Sequence, residues 1–263
     1  MWNSSRPRSD PMAPIVNTSR LFRGLLAALR VEIVCDVGSM DGTDALAFAA
    51  AAPASRVFAF EPNPYNLRRM QASPALRERG IQVVPLAASD RNGTADFFIV
   101  GADYAAGDVR RGMSSLYERS GTWRAEQVVS VSTVRLDTFL GRNGTATSRV
   151  ALWIDTEGKA FEVIDGFQGA ARRVRLLHVE VESSACIGAS QRLYPDVKTL
   201  LNRLGFVELA TDAPADRDQF NAVFVRRDLS AGDWLRVGSH LLLSWLRYRA
   251  AALPRLRAGS GKR

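Results

Sequence analysis

Asp155 and Glu157 stand one residue apart in the stretch IDTEGKAFEVIDG, directly after the apolar run RVALW. Glu180 and Glu182 repeat that spacing at the end of VRLLHVEVE. Paired carboxylates can take a proton from a reacting group when their surroundings raise their proton affinity. Up to four of them could instead hold one divalent cation through their oxygens, although no motif supports a metal here. They can also do nothing chemical, because an acid in the first turn of a helix is stabilised by the helix dipole by roughly 0.3–1 kcal/mol. A second set lies near the N-terminus. VCDVGSMDGTDAL places Asp36 ahead of Gly38 and Gly42, and Glu61 closes RVFAFE 19 residues after Gly42. Glycines at such a turn admit positive φ and let the backbone approach a ligand closely. A carboxylate at the end of the next strand can accept both hydroxyls of a ribose.

Both sets need a scaffold that delivers strand ends to one crevice. VEIVCDV, RVFAFE, IQVVPLAAS, RVALWID and VRLLHVEVE read as buried strands, and DALAFAAAA, PYNLRRMQA, a segment from about Ala160, and DVKTLLNRLG read as the helices between them. Alternating strands and helices build a parallel sheet, whose ligand crevice lies at the carboxyl ends of the strands. TSRLFRGLLAALR predicts a helix ahead of the first strand, capped by Thr18 or Ser19. FVELATD and NAVFVRR predict an antiparallel hairpin at the sheet edge. GTADFFIV and VVSVSTVRL predict extra strands inserted after the third, with a long connection between them. Loops of that length in a compact domain are usually functional or disordered, and this one is read as an acceptor cover offering Arg110, Arg111, Ser114, Ser115, Tyr117 and Trp123.

The chain has 263 residues and 46% apolar content, enough for one α/β domain with a sizeable core. Its formal charge of +8 resembles a nucleic-acid signal until it is located. From Arg226 onward nine Arg and Lys face only Asp228 and Asp233, whereas residues 1–225 carry 26 basic and 25 acidic side chains. A balanced body argues against a basic groove, so no nucleic-acid partner is expected. Cys35 and Cys186 offer neither metal spacing nor a disulfide framework. With no apolar signal-peptide core and no run of roughly 18 apolar residues, the expectation is a cytoplasmic protein. Two histidines, His178 within a strand and His240 in the tail, give little material for a histidine-centred site. His178 is read as a hydrogen-bonded core residue, and the N-x-S/T triplets at Asn17, Asn92 and Asn143 as chance.

The ligand of the first turn divides between a dinucleotide and S-adenosylmethionine. A G-x-G-x-x-G fingerprint needs glycine where Asp36 stands, and an acid there suits a cationic ligand end better than a diphosphate. DVGSMDG, VFAFEPNPYNL, VVPLAASDRNGTADFFI, SSL, VSTVRLDTFL and IDTEGKAFEVIDGF occur together over about residues 31–227 in an order that resembles the FkbM-type methyltransferases. The resemblance implies a Rossmann-like class I methyltransferase fold: a mostly parallel seven-stranded sheet with a C-terminal antiparallel hairpin and a β-strand insertion between strands 3 and 4. It also implies S-adenosylmethionine-dependent O-methylation of a small-molecule or glycan hydroxyl, on a sugar or a polyketide-type product. Ser39 and Met40 occupy the middle of a loop that family members often write G-A-N-x-G, and Trp153 stands where they often carry lysine.

Residue reading and resemblance together assign Asp155 and Glu157 to catalysis. They assign Asp36, Gly38, Ser39, Gly42, Glu61 and Ser89 to the cofactor, and Ser115, Tyr117 and Glu180 to the acceptor. NPY at Asn63–Tyr65 follows the second strand rather than the fourth, which argues against methylation of a base amine. The alternatives are a nicotinamide-dependent oxidoreductase and a catalytically silent binding module. The expected organisation is a flexible N-terminus (1–17), a methyltransferase domain (18–227) and a basic helical tail (228–263). In that tail Leu235, Leu242, Trp245 and Leu246 oppose Arg236, His240 and Arg247, a pattern compatible with peripheral membrane contact.

Overall fold

The computed structural model describes residues 13–101, 109–119, 124–188 and 190–258, the side chains of 252–258 excepted. Its main sheet begins with β1 (Ile33–Val37), β2 (Arg56–Phe60) and β3 (Gln82–Val84). It continues with β7 (Val150–Ile154) and β8 (Val174–Glu182), and ends with β9 (Phe206–Thr211) and β10 (Gln219–Arg226). The strand order is β3-β2-β1-β7-β8-β10-β9. Five strands are parallel; β10 runs antiparallel to both β8 and β9. This is the seven-stranded class I methyltransferase arrangement expected from the sequence.

Between β3 and β7 the chain adds a three-stranded sheet of β4 (Ala87–Ala88), β5 (Gly93–Ile99) and β6 (Gln127–Val134), ordered β4-β6-β5. The run IQVVPLAAS, read as one strand, is split between the two sheets at Pro85. Proline has no amide hydrogen to give to a ladder, so the chain turns there, and Leu86 N bonds back to Val84 O at 2.9 Å. Two short helices escaped the sequence reading: α4 (Pro74–Glu78) and α5 (Leu136–Asn143).

Helices cover both faces of the sheet. On one side, α5, α6 (Ala160–Asp165) and α7 (Tyr194–Arg203) bury Leu136, Leu140, Val163, Ile164 and Leu201 against Cys35, Phe60 and Leu152. On the other, α1 (Thr18–Ala28), α2 (Thr43–Ala51), α3 (Pro64–Ala72) and α8 (Ala231–Ala258) bury Phe22, Leu25, Phe48, Met70 and Val237 against Val34, Trp153 and Val223. The N-cap of α1 is Asn17, whose side chain accepts from Arg20 N at 2.8 Å, rather than Thr18 or Ser19. Residues 13–17 are tied to β9: Val16 N donates to Thr211 O at 2.8 Å, and Thr211 N to Pro14 O at 3.1 Å. The flexible arm expected over 1–17 thus lies outside the described residues only for 1–12, while 13–17 belong to the packed body.

His178 is buried, bonds Thr18 Oγ1 through Nε2 at 3.1 Å, and stacks on Trp153 with ring centres 3.5 Å apart. Burial pushes its pKa down to about 3, so it stays a neutral core residue. The tail helix α8 packs its inner side on α1, where the ring of His240 lies against Gly24.

Candidate active site

The strand ends deliver both acidic sets to one place. β1 pairs with β7 so that Val37 faces Ile154, and the contact runs on past both strands, where Asp155 N donates to Val37 O at 2.9 Å. Gly38 takes φ +89°, and a Cβ built on it would lie 1.7 Å from Asp155 O. No other residue fits where the glycine turn passes that carbonyl. Gly42, at φ +82°, turns into α2 with its own Cβ space filled by Leu76.

Glu61, 4% exposed at the end of β2, accepts Met40 N on one oxygen at 2.8 Å and Asn63 N on the other at 2.7 Å. Burial pushes its pKa up to about 7, against those two bonds, Asn66 and the Arg111 charge. Asn63, in the NPY stretch, caps α3 by accepting Tyr65 N at 3.0 Å and thereby aims its own amide at Glu61.

A cavity is lined by Gly38, Met40, Glu61, Asn66, Asp155 and Glu157, among others. Of the residues assigned from sequence, Gly38, Glu61, Asp155 and Glu157 line it together. The others lie around it. Asp36 is buried beside the loop and accepts Ser39 Oγ at 2.6 Å, and burial raises its pKa to about 8 despite that bond. The negative charge expected at Asp36 is therefore largely a neutral carboxyl near neutral pH. Ser89 turns its hydroxyl to Asp90 at 3.0 Å.

Asp155, Glu157 and Glu180 each present a carboxylate oxygen within 4.8 Å of the others. Burial pushes both Asp155 and Glu180 upward, and a hydrogen bond between them favours the charged form of Asp155 and the protonated form of Glu180. Glu157 is raised to about 7 by burial and by the Asp155 charge, and is pulled back by Arg119. Glu182, two residues beyond Glu180 on β8, is also raised to about 7 by burial. Glu157 does not cap α6. It precedes the helix with φ +49°, and Lys159 holds the N-cap without a side-chain bond.

Arg119 went unread in the sequence. Its guanidinium is buried against the Glu157 carboxylate. It reaches the site on the inserted segment, which Ser115 anchors by donating Oγ to Glu157 O at 2.7 Å and accepting Tyr117 N at 3.0 Å. Tyr117 Oη bonds Glu162 at 3.1 Å and Ser190 O at 3.2 Å, while Lys159 Nζ pairs with Glu162 and lies 3.6 Å from the Tyr117 ring centre. Ser115 and Tyr117 thus hold the cover to the strand ends. Arg111 is buried and locked to Asn66 Oδ1 at 2.9 Å, and Ser114 lines the cavity. Trp123 lies outside the described residues. Arg119 Nε and Thr156 Oγ1 are buried without a hydrogen-bond partner among the described residues, a capacity that a polar ligand can take up.

Residues 36–208 match the family described as the Methyltransferase FkbM domain. The chain is 28% identical over 191 residues to the 2-O-methyltransferase NoeI of Sinorhizobium fredii, covering 69% of this chain and 74% of that protein. Among solved structures it is similar to magnesium protoporphyrin IX methyltransferase from Synechocystis PCC 6803 with bound SAH. That match has 12% identity, coverage of 80% and 81% of the two chains, and a TM-score of 0.44. The N-terminal domain of EvdMO1 with SAH bound matches at 13% identity, 80% and 81% coverage, and a TM-score of 0.44.

Proposed function

This chain belongs to the FkbM methyltransferase domain family, and from that premise we propose that it methylates a hydroxyl of a sugar, glycan or polyketide-type acceptor with S-adenosylmethionine as donor. The observation that carries this reading is the shared cavity: Gly38 and Glu61 line the same space as Asp155 and Glu157. The residues suit the donor. Gly38 brings the turn against the strand end that bears the acids, Glu61 presents a buried carboxylate to the cavity for a ribose, and Asp36 accepts Ser39 Oγ within the turn. When bound, S-adenosylmethionine supplies an electrophilic methyl carbon on a sulfonium.

The chain's own residues have three tasks. The first is to take a proton, because an acceptor hydroxyl must lose one as it becomes an ether oxygen. Glu157 suits this: its pKa near 7 matches a general base working near neutral pH, and Arg119 pairs with Oε2, leaving Oε1 without a hydrogen bond among the described residues. The second is to keep that base basic and orient the hydroxyl, which falls to the Asp155 carboxylate with Glu180 as its proton-bearing partner. The third is to hold the reactants in line and exclude water, which the anchored segment of Ser115, Tyr117 and Arg119 serves. Oxygen rather than nitrogen is favoured by the 2-O-methyltransferase relative and by an acid pair, not NPY, at the fourth parallel strand of the sheet.

The test uses a donor with an isotopically labelled methyl group and a panel of hydroxylated acceptors. Asp155→Asn and Glu157→Gln should each lower transfer by roughly 10²–10⁴, the usual contribution of a positioned acid or base. Affinity for S-adenosylhomocysteine should stay within a few-fold. Full activity in both variants would remove these acids from the chemistry.

A further inference from the structure

The 28-residue helix α8 is half claimed by the domain and half left over. Its inner side is accounted for: Val237 and Ser244 are buried, and Trp234, Leu241 and Trp245 pack against the core shared with α1. Its outer side carries Leu235, 74% exposed, Leu242, 56%, and Leu243 and Leu246, each 49%. At ~100° per residue, Leu235, Leu242 and Leu246 fall within about 40° of one another, and Leu243 widens the strip on one side. Arginines flank it on both edges. Arg249 follows Leu242 on one edge with its guanidinium 5.0 Å from the Trp245 ring centre, and Arg236 and Arg247 line the other. The pattern differs from that read in the sequence, because Trp245 and His240 face inward while Leu235, Leu242, Leu243 and Leu246 are left outside.

From this arrangement we propose that the outer face of α8 docks on an anionic lipid bilayer surface, with the leucines entering the interface and the arginines meeting the headgroups. Charge complementarity selects this occupant. Residues 229–263 carry seven Arg and Lys against Asp233 alone, and Asp233 is engaged by Arg30 and Arg236. A second copy of the same helix would bring arginine against arginine. Leucine strips edged by arginines are the composition of helices that lie in the membrane interface, where long cationic side chains reach the headgroups while their stems cover apolar surface. No helix among the described residues is long and apolar enough to cross a membrane, so the contact is one of lying on the surface. The proposal rests on α8 alone and stands whether or not the acceptor chemistry proposed above is correct.

Vesicle flotation with the full chain tests it. Wild-type protein should float with vesicles of phosphatidylcholine mixed with phosphatidylglycerol, stay behind with phosphatidylcholine alone, and be released by high salt. Leu242→Asp with Leu246→Asp should abolish flotation. Arg236, Arg247 and Arg249 changed together to Gln should weaken it by on the order of 100-fold, at about fivefold per basic residue. All these positions are exposed, so the thermal midpoint and S-adenosylhomocysteine affinity should stay at wild-type values and separate lost docking from lost folding. Failure of the wild type to bind anionic vesicles, or equal binding to both vesicle types, would overturn the proposal. So would sedimentation of the wild type as a dimer that the leucine substitutions convert to monomer.

Discussion

Gly38 carries more of this site than its size suggests. Its left-handed φ, and the 1.7 Å to which a Cβ there would approach Asp155 O, couple the glycine turn to the strand end that bears the acids. Gly38→Ala should cost ~1–2 kcal/mol for the backbone conformation and roughly 1–3 kcal/mol more for the forced contact. Urea denaturation reads this directly, and an unchanged midpoint would show that the turn can relax away from Asp155. Glu157 is the second decisive residue. Its basicity is set by burial and by Asp155 on one side and by Arg119 on the other. Transfer at saturating acceptor should therefore rise as pH passes through about 7. Both residues lie in motifs legible in the sequence, but the reason each matters was not. Neither the contact across two strands nor the φ of +49° at Glu157 has a local signature.

At the scale of elements, the inserted segment decides what the strand ends can do. Arg119 lies 38 residues before Glu157, on a segment that Ser115 anchors at Glu157 O and Tyr117 at Glu162 and Ser190 O. Arg119→Gln removes the charge and the hydrogen bond that hold the Glu157 pKa down. The acidic limb of the pH–rate profile should move to higher pH, a shift that loosened packing alone would not produce. An unmoved limb would separate Arg119 from the base. Such a partner could not be read ahead of the structure, since an arginine in a polar loop resembles any solvated one. The parallel strands β1, β2 and β7 were legible because strands buried on both faces are largely apolar runs. Pro85 inside an apolar run was a warning of the split between β3 and β4. The helix α5 was hidden because VSTVRLDTFL continues the β-branched pattern of β6 up to its first turn.

Across the whole molecule, the concentration of buried acids makes stability depend on pH in a definite direction. Burial raises Asp36 to about 8 from an ordinary 3.8, and Glu61, Glu157 and Glu182 to about 7 from 4.5. A folded pKa above the unfolded value means that the folded chain keeps protons the unfolded chain has released. That stability is complete below the unfolded values and is lost as pH rises through the folded ones. The thermal midpoint of the ligand-free protein should fall between about pH 5 and about pH 8.5, and Glu182→Gln should flatten the fall. A midpoint that rises over that window would contradict the buried-acid account. Such a cluster is a cost to the fold that only a ligand site explains well, and the ligand is where the account is most exposed. Calorimetric titration with S-adenosylhomocysteine, run on the wild type and on Glu61→Ala, tests it most directly. The account predicts binding by the wild type and a loss of roughly 10- to 100-fold in the variant, the worth of a hydrogen bond to a charged group at about 1.5–3 kcal/mol. No heat with the wild type, or equal affinity in both proteins, would contradict it.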